Sequence, residues 1–233
     1  MLEEALRSGL EEMRLPCSGE QLQKFRRYYT LLEDKNRVMN LTAIHGEDET
    51  ATRHFLDSAA PLLRFPLAGT SVIDVGSGAG FPGLPLRILE PTVRMTLLDA
   101  QQKRVGFLQE VCDALDFADV RCVHARAEEL TAMRERYDFA LARAVARLNV
   151  LAELCLPYVK VGGAFLALKG PGVTEELDEA GRAVKLLGAE VEEVFEYAIP
   201  GEALQHNIVV LRKAAPTPKQ YPRRFAQIKK SPL

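Results

Sequence analysis

Seven short runs of mainly apolar residues follow residue 70, and helical patterns lie between the first five. Apolar strands that alternate with helices predict a parallel sheet with helices on both faces. A short loop without a helix joins the last two runs, so we expect one of them to be antiparallel. The predicted strands are Ser71–Val75, Val93–Asp99, Val120–His124, Tyr137–Ala142, Ala164–Lys169, Glu190–Ala198 and Asn207–Arg212.

Residues 1–65 carry helical patterns only. Apolar residues recur at helical spacing until Pro16, and Ser18 and Gln21 then form a potential capping box for a second helix. A third helix is predicted over 47–63. We therefore divide the chain into an N-terminal helical extension (1–65), a sheet-containing domain (66–213) and a basic C-terminal tail (214–233).

The composition allows a sizeable core, because 47% of the 233 residues are hydrophobic and 27% are charged. Wholesale disorder is thereby excluded. The longest apolar runs are too short to cross a bilayer, and the acidic N-terminus lacks the pattern of a signal peptide. The four cysteines show no C-x-x-C spacing, which favours reduced structural thiols. We expect a cytoplasmic monomer without a bound metal.

Charge is unevenly distributed along the chain. Residues 1–202 contain 23 basic and 32 acidic residues, a net charge of −9, whereas 203–233 contain seven Lys and Arg residues and no acidic one. A polyanionic partner would therefore be attracted first to the C-terminal end.

A glycine-rich turn follows the first predicted strand, in the stretch VIDVGSGAGFPG. Gly78, Gly80 and Gly83 match the dinucleotide fingerprint G-x-G-x-x-G, which is a weak signal when it stands alone. Asp74 precedes the turn, and a carboxylate there is unfavourable for a pyrophosphate. An acidic residue followed by G-x-G-x-G suits a cationic ligand, so we favour S-adenosylmethionine over NAD. A turn without any ligand is the third possibility.

Asp99 ends the second predicted strand, nineteen residues after Gly80. A carboxylate at this place can accept hydrogen bonds from both ribose hydroxyls of a nucleotide cofactor. This role does not separate S-adenosylmethionine from NAD, since both contain the ribose. The alternative is a cap for the following helix, and the two roles are compatible.

Several stretches together resemble the rRNA small subunit methyltransferase G family, also called glucose-inhibited division protein B. They run from residue 40 to the C-terminus in the order expected for that family. The stretches are NLTAI at Asn40–Ile44, RHFLDS at Arg53–Ser58, DVGSGAGFPGLPL at Asp74–Leu86, Thr96–Asp99 with Lys103–Arg104, HARAEE at His124–Glu129, Arg143–Ala144, Lys169–Gly170, and YPRRFAQIKKSPL at Tyr221–Leu233.

The resemblance implies a Rossmann-like class I methyltransferase with a seven-stranded, mostly parallel sheet. It implies transfer of the methyl group of S-adenosylmethionine to N7 of a guanine in the decoding-region loop of 16S rRNA. The partner is then 16S rRNA or the small ribosomal subunit. The implied cofactor contacts are Gly76, Phe81, Ala127, Glu128 and Arg143, to which the physical argument above adds Gly78 and Asp99.

Guanine N7 has a lone pair and no proton, so the implied reaction needs alignment and no general base. This is consistent with four histidines scattered along the sequence, none of them in the glycine-rich turn. We hypothesise that Arg143 orients the base through guanine O6, as arginine commonly does. On the helix before the sheet, Arg53 and Asp57 stand one turn apart, where an intrahelical ion pair is an even alternative to a role in a pocket wall.

The basic tail interleaves aromatic and cationic residues, which suits base stacking together with phosphate contact. A solvated, mobile end is the alternative. We expect RNA contacts from Arg223, Arg224, Lys229 and Lys230. Deletion of 219–233 is then predicted to weaken RNA methylation and to leave cofactor affinity nearly intact.

Other functions stay open from the residues alone. A methyltransferase of the same fold could act on a small molecule or a protein, and an RNA-binding protein could retain the fold without catalysis. An NAD-dependent oxidoreductase is disfavoured by Asp74 and by the lack of a recognisable hydride-relay residue.

Overall fold

The computed structural model describes residues 1–144 and 146–233 and contains one seven-stranded sheet in the order β3-β2-β1-β4-β5-β7-β6. The first five strands are parallel, and β7 is antiparallel to both of its neighbours. The predicted sheet and its antiparallel strand are therefore confirmed. The strands are β1 (Ser71–Val75), β2 (Arg94–Asp99), β3 (Arg121–His124), β4 (Tyr137–Arg143), β5 (Val159–Lys169), β6 (Ala189–Ala198) and β7 (Gln205–Lys213).

Helices precede the sheet and cover both of its faces. The longer ones coincide with the helical patterns of the sequence. The α-helices are α1 (Leu2–Glu12), α2 (Gly19–Met39), α3 (Glu47–Thr50), α4 (Asp57–Ala59), α5 (Gly83–Leu89), α6 (Gln102–Ala114), α7 (Leu148–Cys155), α8 (Val173–Leu186) and α9 (Phe225–Lys230). A π-helical turn (Ala51–Leu56) joins α3 to α4, and 3-10 turns follow α4 (Ala60–Leu63), precede β4 (Thr131–Met133) and follow α7 (Leu156–Tyr158).

The strand order reverses between β1 and β4, because β2 and β3 lie on one side of β1 and the later strands on the other. In open parallel sheets, a crevice forms beyond the carboxyl ends of the strands at such a reversal. The loops after β1, β2, β3 and β4 therefore converge at one edge of the sheet.

The N-terminal helices share a core with the sheet. Leu6 of α1, Phe25 of α2 and Phe55 of the π turn belong to the same buried apolar cluster as Val72 of β1 and Leu84 of α5. The capping box at the start of α2 is present: the backbone nitrogen of Gln21 donates to Ser18 Oγ, and the backbone nitrogen of Ser18 donates to Gln21 Oε1. The extension 1–65 is thus packed against the domain it precedes.

The C-terminal segment is also anchored to the core. Ile228 of α9 is fully buried in the apolar cluster on the other face of the sheet. Arg134 donates to the carbonyl oxygens of Thr217 and Tyr221, and Thr217 Oγ1 donates to Leu187 O. The alternative of a mobile end does not describe this segment, which is folded onto the domain.

All four cysteines are free thiols, as predicted. Residues 1–144 and 146–233 contain no helix long and apolar enough to span a bilayer. Within the same ranges, no three His, Cys, Asp or Glu side chains cluster as metal ligands would.

Candidate active site

A cavity of about 570 Å³ opens at the edge where the loops after β1 to β4 converge. We call it the first cavity. Its volume lies in the range typical of sites for small molecules and cofactors. Its lining includes every cofactor contact predicted from the sequence: Gly76, Gly78, Phe81, Asp99, Ala127, Glu128 and Arg143.

The glycine-rich loop owes its shape to positive φ angles. Gly76 has φ of 76°, Gly78 of 59° and Gly80 of 105°, in the region that side chains other than glycine rarely adopt. The amide nitrogens of Gly76 and Ser77 donate to Leu98 O, and the Gly78 amide nitrogen donates to Asp99 Oδ2 at 2.9 Å. The loop is therefore fastened to the end of β2, and its backbone forms one wall of the first cavity.

Helix α2 supports this loop from behind, a contact that the sequence did not reveal. The buried Tyr28 hydroxyl donates to Ala79 O at 2.5 Å, and its ring stacks on Phe81 with 5.5 Å between centroids. A Cβ atom on Gly80 would lie 2.6 Å from the Tyr28 oxygen. Glycine at this position is what allows α2 to approach the loop so closely.

Asp74 has a different role from the predicted one. Its side chain is fully buried, lies outside the first cavity and accepts a hydrogen bond from the Gly83 amide nitrogen at 2.9 Å. Side chains alternate along a strand, so Asp74 lies on the same face as Val72, under α5. Burial raises the pKa of Asp74 to about 7. It holds the start of α5, and the argument that it selects a cationic ligand is wrong.

Asp99 lies in the first cavity with both oxygens partly engaged. Oδ1 accepts a hydrogen bond from the backbone nitrogen of Gln101 at 2.8 Å, just before α6. Oδ2 accepts one from the backbone nitrogen of Gly78. Arg104 Nη1 is 3.7 Å from Oδ2. Each carboxylate oxygen has two lone pairs, so capacity to accept a hydroxyl remains. Asp99 therefore both accepts a hydrogen bond at the start of α6 and lies where it can bind a ribose.

Ala127 and Glu128 follow β3 and close the opposite side of the first cavity. The Tyr158 hydroxyl donates to Ala127 O at 2.5 Å and so fixes the loop. Glu128 is largely buried, 3.9 Å from the exposed Arg126. The two carboxylates that line the cavity are thus Asp99 and Glu128, which places acceptors at the ends of β2 and β3.

Arg143 ends β4 and is held by residues of the N-terminal helices. Nη1 donates to Asp57 Oδ2 at 2.7 Å and to Arg53 O at 3.1 Å, and Nη2 donates to His54 Nδ1 at 3.0 Å. The guanidinium lies over the Phe81 ring, 5.1 Å from its centroid. Of the two alternatives for Arg53 and Asp57, the intrahelical ion pair does not form: Asp57 binds Arg143, and Arg53 binds Glu202 at 2.8 Å.

His54 is neutral in this arrangement. Burial and the charge of Arg143 lower the pKa of His54 to about 3. Because Arg143 donates to Nδ1, the ring proton lies on Nε2, which donates to Thr42 Oγ1 at 2.7 Å. The imidazole stacks on Phe81 with centroids 4.2 Å apart. His54 therefore couples the glycine-rich loop to Arg143.

Asp57 carries the negative charge of the cluster. Burial acts to raise its pKa, but the hydrogen bond with His206 and the charge of Arg143 outweigh burial and hold the pKa of Asp57 below its usual value. Tyr197 also donates to Asp57 Oδ1, at 2.7 Å. Buried charge is tolerated when it is paired in this manner.

The C-terminal segment contributes to the first cavity, which the sequence did not predict. Phe225, at the start of α9, lines the cavity together with Leu154 of α7. Arg223 donates through Nε and Nη2 to the fully buried carboxylate of Glu153. Deletion of 219–233 would therefore remove part of the cavity wall, which argues against the expectation that the deletion leaves cofactor affinity nearly intact.

The four predicted RNA contacts fall into two groups. Arg223 is largely buried against Glu153, so its guanidinium serves as an anchor, and the RNA contact expected from it stays a prediction. Arg224, Lys229 and Lys230 are exposed on the same short segment. Three cations therefore flank the position of Phe225 at the first cavity.

The residues present fit S-adenosylmethionine. The loop offers glycine backbone, a Cβ on Gly78 would meet only Gly76 O at 3.9 Å, and Asp99 is placed for a ribose. The chain matches the sequence profile of the family GidB: rRNA small subunit methyltransferase G over residues 21–206.

The chain belongs to the rRNA small subunit methyltransferase G family.

Full-length relatives support this membership. The ribosomal RNA small subunit methyltransferase G of Clostridium beijerinckii is 46% identical over 228 residues, covering 96% of this chain and 95% of the relative. The protein of the same name from Pelotomaculum thermopropionicum is 44% identical over 237 residues, covering 100% and 99%. The predicted family, enzyme class and methyl donor, S-adenosylmethionine, are thereby confirmed.

Solved structures with little sequence similarity share the fold. A precorrin-6y C5,15-methyltransferase from Geobacter metallireducens gives a TM-score of 0.53 at 17% identity, over 67% of this chain and 87% of that chain. TYW2 of M. jannaschii, solved in complex with AdoMet, gives 0.53 at 12% identity, over 64% and 72%. These matches confirm the Rossmann-like class I methyltransferase fold.

Proposed function

We propose that this chain transfers the methyl group of S-adenosylmethionine to N7 of a guanine in the decoding-region loop of 16S rRNA. The observation that carries the proposal is the first cavity, which brings together all seven predicted cofactor contacts in a chain of this family. The substrate is 16S rRNA or the small ribosomal subunit, and the place of action is the cytoplasm, where ribosomes are assembled. We further propose that the protein acts as a monomer without a metal.

The chain's own residues provide binding and alignment. Gly76 and Gly78 offer backbone without side chains, Asp99 accepts from the ribose, and Ala127 and Glu128 close the far side. The bound cofactor supplies an electrophilic methyl group on a sulfonium. Since N7 of guanine carries no proton, no residue has to act as a general base, and catalysis depends on holding the two reactants in line.

Arg143 is the proposed positioning group for the base. A lone cation would be unfavourable beside a sulfonium, but Arg143 is paired with the carboxylate of Asp57 at 2.7 Å. The pair is close to neutral, so Arg143 can donate to guanine O6 without adding a full positive charge to the site. Its contacts with His54 and Asp57 hold the guanidinium in a defined orientation.

The cations of the C-terminal segment are the proposed RNA contacts. Arg224, Lys229 and Lys230 are exposed, and Phe225 between the first two lines the first cavity. Phosphates bound by these side chains would lie close to the methyl donor. Such contacts supply affinity that depends on salt and little sequence information.

The test uses radiolabelled S-adenosylmethionine with small subunits from cells that lack this methyltransferase, with naked 16S rRNA, and with total cell protein. We expect label in rRNA, at a single guanine that becomes sensitive to cleavage at N7-methylguanine. Label in protein or in small molecules alone would support the alternative substrate classes. Cofactor binding without label in any fraction would support a non-catalytic RNA-binding protein.

A further inference from the structure

A second cavity of about 500 Å³ adjoins the first. It lies at the carboxyl ends of β4 and β5, where the antiparallel β7 begins and β6 ends. The two cavities share His54, Arg143 and Ala144, which we call the shared wall. These three residues would therefore border both a ligand in the second cavity and the methyl donor in the first.

The shared wall includes a backbone conformation that costs energy. Ala144 has φ of 56°, in the left-handed region, although it carries a side chain. Residues held in this way concentrate at functional sites, where the surrounding structure compensates for the strain. The surrounding residues therefore hold the backbone of the shared wall in one particular conformation.

The floor of the second cavity is a closed polar network. Asp57 binds Arg143, Tyr197 and His206 with distances of 2.7, 2.7 and 3.3 Å. Both Asp57 oxygens are therefore engaged, and the network leaves Asp57 little capacity for a ligand. His206 uses Nδ1 toward Asp57, so its Nε2 is the nitrogen available to a ligand.

Glu202 is the remaining carboxylate in the lining. It lies in the loop between β6 and β7, with Leu204 and Ile44 as apolar neighbours in the same lining. Arg53 Nε donates to Glu202 Oε1 at 2.8 Å. Among the described residues, Oε2 receives no hydrogen bond from a side chain, so it can accept from a ligand.

The chemistry of purines identifies the base that suits this arrangement. Guanine presents two adjacent donors, N1–H and N2–H₂, on its Watson–Crick edge, and a carboxylate can accept from both. Adenine lacks this pair of donors. Enzymes that act on a base read its Watson–Crick edge after taking it out of the stack. With that edge at Glu202, guanine N7 on the opposite side of the base points toward the shared wall.

We propose that the second cavity receives the target guanine and that Glu202 selects it by accepting hydrogen bonds from N1–H and N2–H₂. This inference rests on the proposed function and names the residue that makes the site specific for guanine. Arg143, in the shared wall, is then beside the Hoogsteen edge, where O6 and N7 lie.

The test compares Glu202→Gln with the wild-type enzyme on two substrates. One is the small subunit with guanosine at the target position, and the other is reconstituted with inosine there, which lacks the 2-amino group. We expect Glu202→Gln to lower kcat/KM on guanosine on the order of 10- to 100-fold. The wild-type enzyme should prefer guanosine roughly tenfold, and Glu202→Gln should methylate both substrates equally.

Two control variants separate recognition from structure. Arg53→Gln removes the ion pair and keeps the carboxylate, so it should retain the preference for guanosine. Glu196→Gln makes the same chemical change at an exposed position of β6 and should leave kcat/KM unchanged. The dissociation constant for S-adenosylhomocysteine should be the same in all three variants as in the wild type.

Several results would overturn the inference. A Glu202→Gln variant that still prefers guanosine, or that keeps wild-type kcat/KM, would remove Glu202 from base recognition. Equal loss of the preference in Arg53→Gln would assign the effect to the ion pair. If the wild-type enzyme methylated guanosine in no subunit, the proposed function itself would fail, which is a distinguishable result.

Discussion

The two cavities are built in different ways from the same edge of the sheet. Residues of the first come mainly from short segments directly after β1, β2 and β3, and the backbone of the glycine-rich loop forms much of its wall. Residues of the second come from segments far apart in the chain, around Arg53, Arg143, Lys169 and Glu202. The polar groups of the second cavity are mostly charged side chains that form ion pairs with one another.

The two cavities differ in how closely ligand binding and folding are coupled. In the first cavity, the loop is fastened by backbone hydrogen bonds and by the Asp99 carboxylate, so a change at Asp99 affects both the loop and the ligand. In the second, Asp57 and Arg143 are buried, and loss of either leaves the other without its charge partner. We therefore expect changes at Asp57 or Arg143 to affect stability as well as activity.

Arg143→Ala should have the largest effect and tests this coupling directly. It leaves the buried Asp57 without its cation, so we expect the free energy of unfolding to fall by about 3–5 kcal/mol, with loss of methylation. Arg53→Ala is the matched control, since its half-exposed ion pair with Glu202 is screened by solvent and should contribute little to stability. Denaturant unfolding measures both. Equal losses in the two variants would contradict the comparison.

Asp99→Asn tests the first cavity. The variant keeps one oxygen for the loop and loses the charge that strengthens hydrogen bonds to the ribose. We expect the dissociation constant for S-adenosylhomocysteine to rise on the order of 10- to 100-fold. The free energy of unfolding should fall by about 1–3 kcal/mol, because the backbone N–H of either Gly78 or Gln101 loses its acceptor. Calorimetric titration gives the affinity, and Asp113→Asn, on α6 outside the cavity, is the control. Wild-type affinity in Asp99→Asn would show that Asp99 serves the loop alone.

His54 predicts a pH dependence of stability. Its pKa is about 3 in the folded state, against 6.5 as its ordinary value. Below pH 6.5 the unfolded chain binds a proton that folded His54 does not, so stability falls with decreasing pH by up to about 1.4 kcal/mol per unit. Above pH 6.5 both states are neutral at this residue and the contribution is constant.

The measurement for His54 is the free energy of unfolding between pH 7 and pH 5 in the wild type and in His54→Gln. The difference between the two curves isolates His54 from other titrating groups, including His206, whose pKa is raised by its hydrogen bond to Asp57. The wild-type curve should fall more steeply toward low pH. Parallel curves would mean that folded His54 is protonated as easily as the unfolded residue.

The smallest effect is expected for the C-terminal segment, where two variants separate RNA binding from cofactor binding. Replacement of Arg224, Lys229 and Lys230 by glutamine removes exposed cations only. The slope of log affinity for RNA against log salt should become shallower by about 2, and cofactor affinity should not change. Deletion of 219–233, in contrast, should also weaken cofactor binding because Phe225 is lost. An unchanged salt slope in the triple variant would remove these residues from the RNA contact.

The sheet was predictable because most strands are short runs of apolar residues that can be recognised without knowledge of their neighbours in space. Most predicted strand ends agree with the structure to within two residues, but β5 begins at Val159 and not at Ala164. The first five residues of β5 include Lys160, Gly162 and Gly163, which do not resemble a buried strand. A Cβ atom on Gly163 would lie 2.4 Å from Asp138 O, so the close approach of the β4 backbone requires glycine at this position. Only the pairing with β4 explains this extension.

The parallel sheet, the glycine-rich loop and the positions of Gly78 and Asp99 were predictable from the chain's own residues, because they depend on strand periodicity and on motifs a few residues long. The other five residues of the first cavity were implied by the resemblance to the methyltransferase family. Three features are visible only in the folded chain: Asp74 supports α5, Tyr28 and Phe225 complete the first cavity, and Asp57, Arg143 and Glu202 meet at the second. Apart from the contact of Asp74 with Gly83, which spans 9 positions, the hydrogen bonds among these residues span 51 to 149 positions, and their partners are fixed only when the helices pack on the sheet.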